Sequence, residues 1–150
     1  MNKSQIKFFP TKKGELLRYK LVEGRKPVTI VFLHGFMSDL TRKKVKTLSK
    51  VSSKENVSFL ALEYSGHGKS SGVLTDYGIK DWVEQSQELI EKVSKNKNVI
   101  LIGSSMGAWV GISLIEKLKK NIRGFIGIAS APDFTKEIMW NGFSKKIKSI

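Results

Sequence analysis

The sequence predicts an α/β domain built on a mostly parallel, doubly wound sheet that opens with an antiparallel hairpin. Three observations predict it. Apolar, β-branched runs recur at Val28–Leu33, 57–63, 99–102 and 124–130. They are too continuous for strands with one wet face and suit strands buried on both. Segments with apolar residues at helical spacing separate them. The resulting alternation of strand and helix is what right-handed crossovers between parallel strands produce. At 150 residues, with 40% hydrophobic and 27% charged content, a single globular domain holds it all.

Taken in order, residues 6–10 and Leu16–Val22 read as two strands joined by a turn at Lys13-Gly14. Gly24-Arg25-Lys26-Pro27 breaks the chain before the run at Val28. Over 39–54, Leu40, Val45, Leu48 and Val51 recur at helical spacing. After the strand at 57–63 and a Gly/Ser loop comes the clearest amphipathic helix. Ile79, Trp82, Val83, Ser86, Leu89, Ile90 and Val93 mark it, with Thr75 or Asp76 as candidate N-cap. The strand at 99–102 leads into a helix whose apolar stripe reads as Trp109, Ile112, Ile115 and Leu118. Residues 124–130 form the last expected strand.

Composition excludes several classes. No apolar run approaches the ~20 residues of a transmembrane helix, and residues 1–10 lack the apolar segment of a secretory signal. The absence of cysteine excludes disulfides and thiolate chemistry and fits a cytoplasmic location. The net charge of +14 comes from 27 basic residues, mostly scattered lysines. They lack the arginine forks and interleaved aromatics of a nucleic-acid site, so a Lys-rich surface without a specific nucleic-acid partner is expected.

Chemistry concentrates in Gly103-Ser104-Ser105-Met106-Gly107, a G-x-S-x-G pattern between a strand and a helix. A serine nucleophile on a tight elbow needs small residues two before and two after it, or the turn cannot close. Gly103 and Gly107 supply them. The Met106 amide, opening the helix, is an expected oxyanion donor. A second donor is expected from the loop after an earlier strand, where Gly35 lets the backbone turn the Phe36 amide inward. His34 is expected to brace this loop by hydrogen bonding. Gly68-Lys69-Ser70 imitates a phosphate-binding loop, but Glu63 stands where that pattern requires glycine and no helix follows directly. A flexible loop is expected there, with His67 facing solvent.

Phe32-Leu33-His34-Gly35-Phe36, Tyr64-Ser65-Gly66-His67-Gly68, the elbow followed by Ala108-Trp109, and Ala129 through Asp133 resemble the α/β-hydrolase superfamily in order and spacing. The resemblance covers about residues 5–135. Within the superfamily it points to small bacterial esterases and to thioesterases of the ABHD10 palmitoyl-protein type. It implies Ser105 as nucleophile, Phe36 and Met106 as oxyanion hole, and a triad acid and histidine after the elbow. No histidine follows Ser105, since the only two are His34 and His67. Asp133 is a weak acid candidate, better read as a loop or capping residue. The resemblance thus implies a C-terminally incomplete hydrolase domain whose triad partners lie beyond this chain.

Two functions remain open at this point. One is a serine esterase or thioesterase for acyl-chain substrates, inactive as this chain alone and complete in a longer one. The other is a non-catalytic binding module. Residues 134–150 read as the start of a hydrophobic lid, or as a basic amphipathic surface helix. No metal or cofactor is implied, because the sequence offers no ligand cluster and the chemistry needs none.

Overall fold

The Thr11–Gly14 turn starts the fold. The Gly14 amide donates to the Thr11 carbonyl at 3.1 Å, with Gly14 at φ +98°, a conformation glycine takes without strain. The turn pairs β1 (Ser4–Pro10) with β2 (Leu16–Val22) antiparallel, Ser4 opposite Val22 and Pro10 opposite Leu16. A computed structural model describes residues 4–95 and 97–133 of the chain. Among these, β3 (Val28–Leu33), β4 (Ser58–Leu62), β5 (Asn98–Ser104) and β6 (Ile122–Ile128) complete a six-stranded sheet in the order β1-β2-β4-β3-β5-β6. β2 meets β4 antiparallel, and the remaining pairs are parallel. The mostly parallel sheet with an antiparallel opening edge is as expected.

The continuous apolar runs have the predicted cause. All five residues of β4 are buried, and alternate residues of β3 enter different cores. Val31 and Leu33 join the core under α2 (Ile79–Ser94) and α3 (Met106–Lys117), with Trp82, Val83, Leu89, Met106, Val110 and Leu114. Phe32 joins a smaller core on the other face with Leu40, Val45, Phe59 and Ala61, beneath α1 (Lys43–Lys54).

Several local expectations are corrected. α1 starts at Lys43, because Asp39 accepts the Thr41 amide at 2.6 Å and folds 39–42 into a turn. Asx turns of this kind compete with helix. Val51 is half exposed, and the small Ser49 and Ser52 face the sheet instead. Gly78, rather than Thr75 or Asp76, caps α2, and its amide donates to Asp81 at 3.0 Å. α3 buries Met106, Val110 and Leu114, and of the expected stripe Leu118 is buried just past the helix whereas Ile112 is exposed. Gly107 and Gly111 set that choice by letting this side of the helix press on β3 and β6. β6 begins two residues before its expected start and ends at Ile128. Among the described residues it pairs with β5 alone. The expected lid over 134–150 lies outside the described residues.

Candidate active site

β3, β4 and β5 run parallel, so the loops that follow them leave one edge of the sheet together. The β5–α3 connection is a single-residue turn at Ser105, with φ +53° and ψ −120°. A non-glycine residue at positive φ carries strain of order 1–3 kcal/mol, which the surroundings must offset. Here the Ser105 amide donates to Ile128 at 2.9 Å, and its carbonyl accepts from Ala108 at 2.9 Å. The flanking glycines are sterically required. A methyl group at Gly103 would lie 2.5 Å from the Gly107 carbonyl oxygen, and one at Gly107 would lie 2.1 Å from that of Leu33. The turn therefore closes on itself and against the end of β3. The Met106 amide lies in the first turn of α3, where N–H groups have no intrahelical acceptor and the helix end is electropositive.

The loop after β3 reaches the same place. A methyl group on Gly35 would sit 3.4 Å from Ser105 Cβ and 4.0 Å from Ser105 Oγ, so this backbone passes directly against the serine side chain. Phe36 follows, partly exposed, and then Met37 at φ +52°. His34 is buried, its Nδ1 2.7 Å from the Gly35 carbonyl oxygen, and the Tyr64 hydroxyl donates to the His34 carbonyl at 3.2 Å. A carbonyl partner requires the proton on Nδ1. Burial lowers the His34 pKa to about 4; the Gly35 bond opposes this and the charge of His67 adds to it. The neutral ring is thus the stable form in this loop.

His67 overturns an expectation. It is buried rather than solvent-facing, 3% exposed, in an aromatic cluster with His34, Phe36, Tyr64 and Trp82. Its ring centroid lies 5.1 Å from that of Trp82, edge-on, and 5.2 Å from that of His34. Burial lowers its pKa, opposed by the Ser65 carbonyl and Glu63. Among the described residues no hydrogen bond joins the Ser105 hydroxyl to either histidine, and the Nε2 atoms of both are buried without a partner. Asp133 occupies a turn after β6 at φ +57°.

The loop that carries His67 closes around Glu63, the residue that stands where a phosphate loop requires glycine. Its carboxylate, fully buried, accepts from the Lys69 amide at 2.7 Å, the Leu40 amide at 2.9 Å and Arg18 Nη1 at 3.2 Å. Gly68 at φ +55° wraps so closely that a methyl group there would overlap the carboxylate. The loop does hold an anion, and the anion is its own side chain. A charged residue directly after the apolar run Phe59-Leu60-Ala61-Leu62 was the available signal.

A family model described as serine aminopeptidase, S33 matches residues 25–149. Mitochondrial palmitoyl-protein thioesterase ABHD10 of Rattus norvegicus is 28% identical over 131 residues, 87% of this chain and 43% of that protein. The chain thus spans less than half the length of this relative. Mouse alpha/beta hydrolase domain-containing protein 10 superposes with a TM-score of 0.86 at 23% identity, covering 97% of this chain and 57% of the other. Est1E of Butyrivibrio proteoclasticus, solved with ferulic acid bound, gives 0.79 at 18% identity, covering 92% and 57%. These likenesses establish the α/β-hydrolase fold.

Proposed function

The chain belongs to the Hydrolase_4 family, the α/β-hydrolases described as serine aminopeptidase, S33, and from that premise we propose that it carries the nucleophile of a serine hydrolase cleaving carboxylic esters or thioesters. The observation that carries this reading is Ser105 itself. It is held at positive φ between two glycines that nothing larger can replace, with the Gly35 backbone against its hydroxyl.

In this reading Ser105 Oγ attacks the acyl carbon, an O–C bond forms, and the carbonyl electrons move onto oxygen. The amides of Phe36 and Met106 stabilise that oxyanion. Its collapse expels the alcohol or thiol, which takes up the proton that Ser105 gave away, and water then releases the acid by the same steps. The proton carrier is a histidine oriented by a carboxylate. Neither His34 nor His67 is placed for that task, since both are buried and, among the described residues, no hydrogen bond joins either of them to the Ser105 hydroxyl. We assign the acid and base to a part of the hydrolase outside these 150 residues, consistent with relatives more than twice as long. Acyl chains are the proposed substrate class, in keeping with the thioesterase name of the ABHD10 relative.

The absence of any histidine after Ser105 favours a second reading, a non-catalytic module. Hydrolysis of p-nitrophenyl esters and acyl thioesters by a polypeptide extended with an acid and a histidine separates the two. Turnover that falls by about 10³-fold or more in Ser105→Ala supports the hydrolase. Turnover that is absent in the extended protein supports the module.

A further inference from the structure

Large apolar side chains stand in solvent at the edge of the sheet from which Ser105 emerges. Met37 is 69% exposed, Val73 62% and Phe36 40%. Two contacts tie them to the loop that carries His67. Phe36 stacks edge-on with His67 at 5.9 Å, and a methyl group on Gly66, next to His67, would touch the Val73 carbonyl carbon at 3.1 Å. The backbone of Met37 is itself at φ +52°, a strained geometry for a non-glycine residue whose side chain points outward. Soluble domains rarely group exposed apolar residues around a cleft without a partner for them.

Charge borders this apolar rim. Arg42, Lys43 and Lys44 are exposed and line, with His34, Gly35, Ser38 and Ser104, a cavity of about 200 Å³. From there a basic flank continues down α1 through Lys46, Lys50 and Lys54, with no acidic residue in its 12 residues. Burial lowers the pKa of Lys20 on β2, and the nearby charge of Lys46 adds to it. Lys69 adds a further exposed cation at the rim. The acidic residue beside the cavity, Asp39, is held by Thr41 and by Arg42 at 3.6 Å. Apolar tips beside a Lys/Arg flank match the interface of an anionic bilayer, where the tips enter the acyl boundary and the lysines meet headgroups. Among the described residues no helix is long and apolar enough to cross a membrane, so docking of this kind is peripheral.

We propose that the rim formed by Met37, Val73 and the Arg42–Lys44 flank docks the protein onto anionic lipid surfaces, with the Ser105 cleft facing the bilayer. The proposal concerns the surface and stands whether or not Ser105 reacts. Vesicle flotation tests it, because aggregated protein stays at the bottom of the gradient. The 150-residue chain should float with vesicles of phosphatidylcholine and phosphatidylglycerol in equal parts, and remain at the bottom with phosphatidylcholine alone.

The variant Arg42→Ala/Lys43→Ala/Lys44→Ala should lose about a hundredfold in binding, at roughly fivefold per charge. Lys117→Ala/Lys119→Ala/Lys120→Ala removes the same charge at the opposite end of the sheet and should change binding by less than about threefold. Met37→Ser/Val73→Ser should lose about tenfold or more. Equal losses from the two charge variants would reduce the effect to general attraction by a +14 surface and overturn the proposal. Unchanged binding in Met37→Ser/Val73→Ser would overturn it as well. So would failure to float while a single-stranded oligonucleotide is retained, which would assign the flank to nucleic acid.

Discussion

The turn after β5 and the loop after β4 leave the sheet at the same edge, and both bend on glycine, yet they end in opposite states. At Ser105 the strained residue is the one with a side chain, and the flanking glycines let the turn close around it. At 63–72 the positive φ values fall on Gly66, Gly68 and Gly72, which take them without strain, and the loop curls inward around the Glu63 carboxylate. One turn leaves its polar residue partly exposed, and the other has filled its own anion site. Glycine spacing thus identifies a backbone shape. Whether the shape is open to a ligand depends on residues far away in sequence, here Arg18 and Leu40.

Removing the internal anion should have the largest effect. Glu63→Ala strands the Arg18 charge and the Leu40 and Lys69 amides, and breaking a buried pair costs about 3–5 kcal/mol. Urea unfolding should show that loss, and a change under 1 kcal/mol would mean that the loop does not depend on its carboxylate. Acid should open the same region next. The folded pKa of His34 lies below its unfolded value, so its contribution to stability is complete above about pH 6.5 and is lost as pH falls toward about 4. For a pKa displaced this far the loss reaches roughly 3 kcal/mol. Imidazole proton shifts should give a His34 midpoint near 4; a midpoint near the ordinary value would contradict the neutral, buried ring.

Gly68→Ala should cost about 1–3 kcal/mol, since it combines a positive φ with overlap onto Glu63. Thermal denaturation at neutral pH measures it, and a neutral outcome would mean that the loop is not closed around the carboxylate. The smallest effect belongs to Lys69→Ala. Only its backbone amide contacts Glu63, so stability should stay within about 0.5 kcal/mol. A phosphate-binding lysine would behave otherwise: weakened retention on immobilised nucleotide in Lys69→Ala would reopen that rejected reading.

Much of the molecule was legible because its determinants are local. Val28–Leu33 has the predicted bounds, since a two-sided core requires an unbroken apolar run. Gly103 and Gly107 were readable because a tight turn demands small residues at fixed offsets. The illegible parts depended on contacts between distant segments. Trp109, Ile112, Ile115 and Leu118 form an apolar stripe by spacing, and Ile115 and Leu118 do meet the core. Close packing of Gly107 and Gly111, however, turned Met106, Val110 and Leu114 inward and left Ile112 exposed. His67 sits among polar and small residues in sequence, and it is buried against rings from other segments. Its loop closes on Glu63, which reaches Arg18 across 45 positions. No window of sequence contains that pair.

The reactivity of Ser105 is the central claim, and covalent labelling tests it most directly. A fluorophosphonate probe, followed by peptide mass spectrometry, should modify Ser105 in a polypeptide extended through an acid and a histidine. The 150-residue chain alone should label poorly, because without a base the hydroxyl stays protonated. Ser105→Ala should abolish the adduct. Labelling that persists in that variant, or that maps to another residue, would contradict the account.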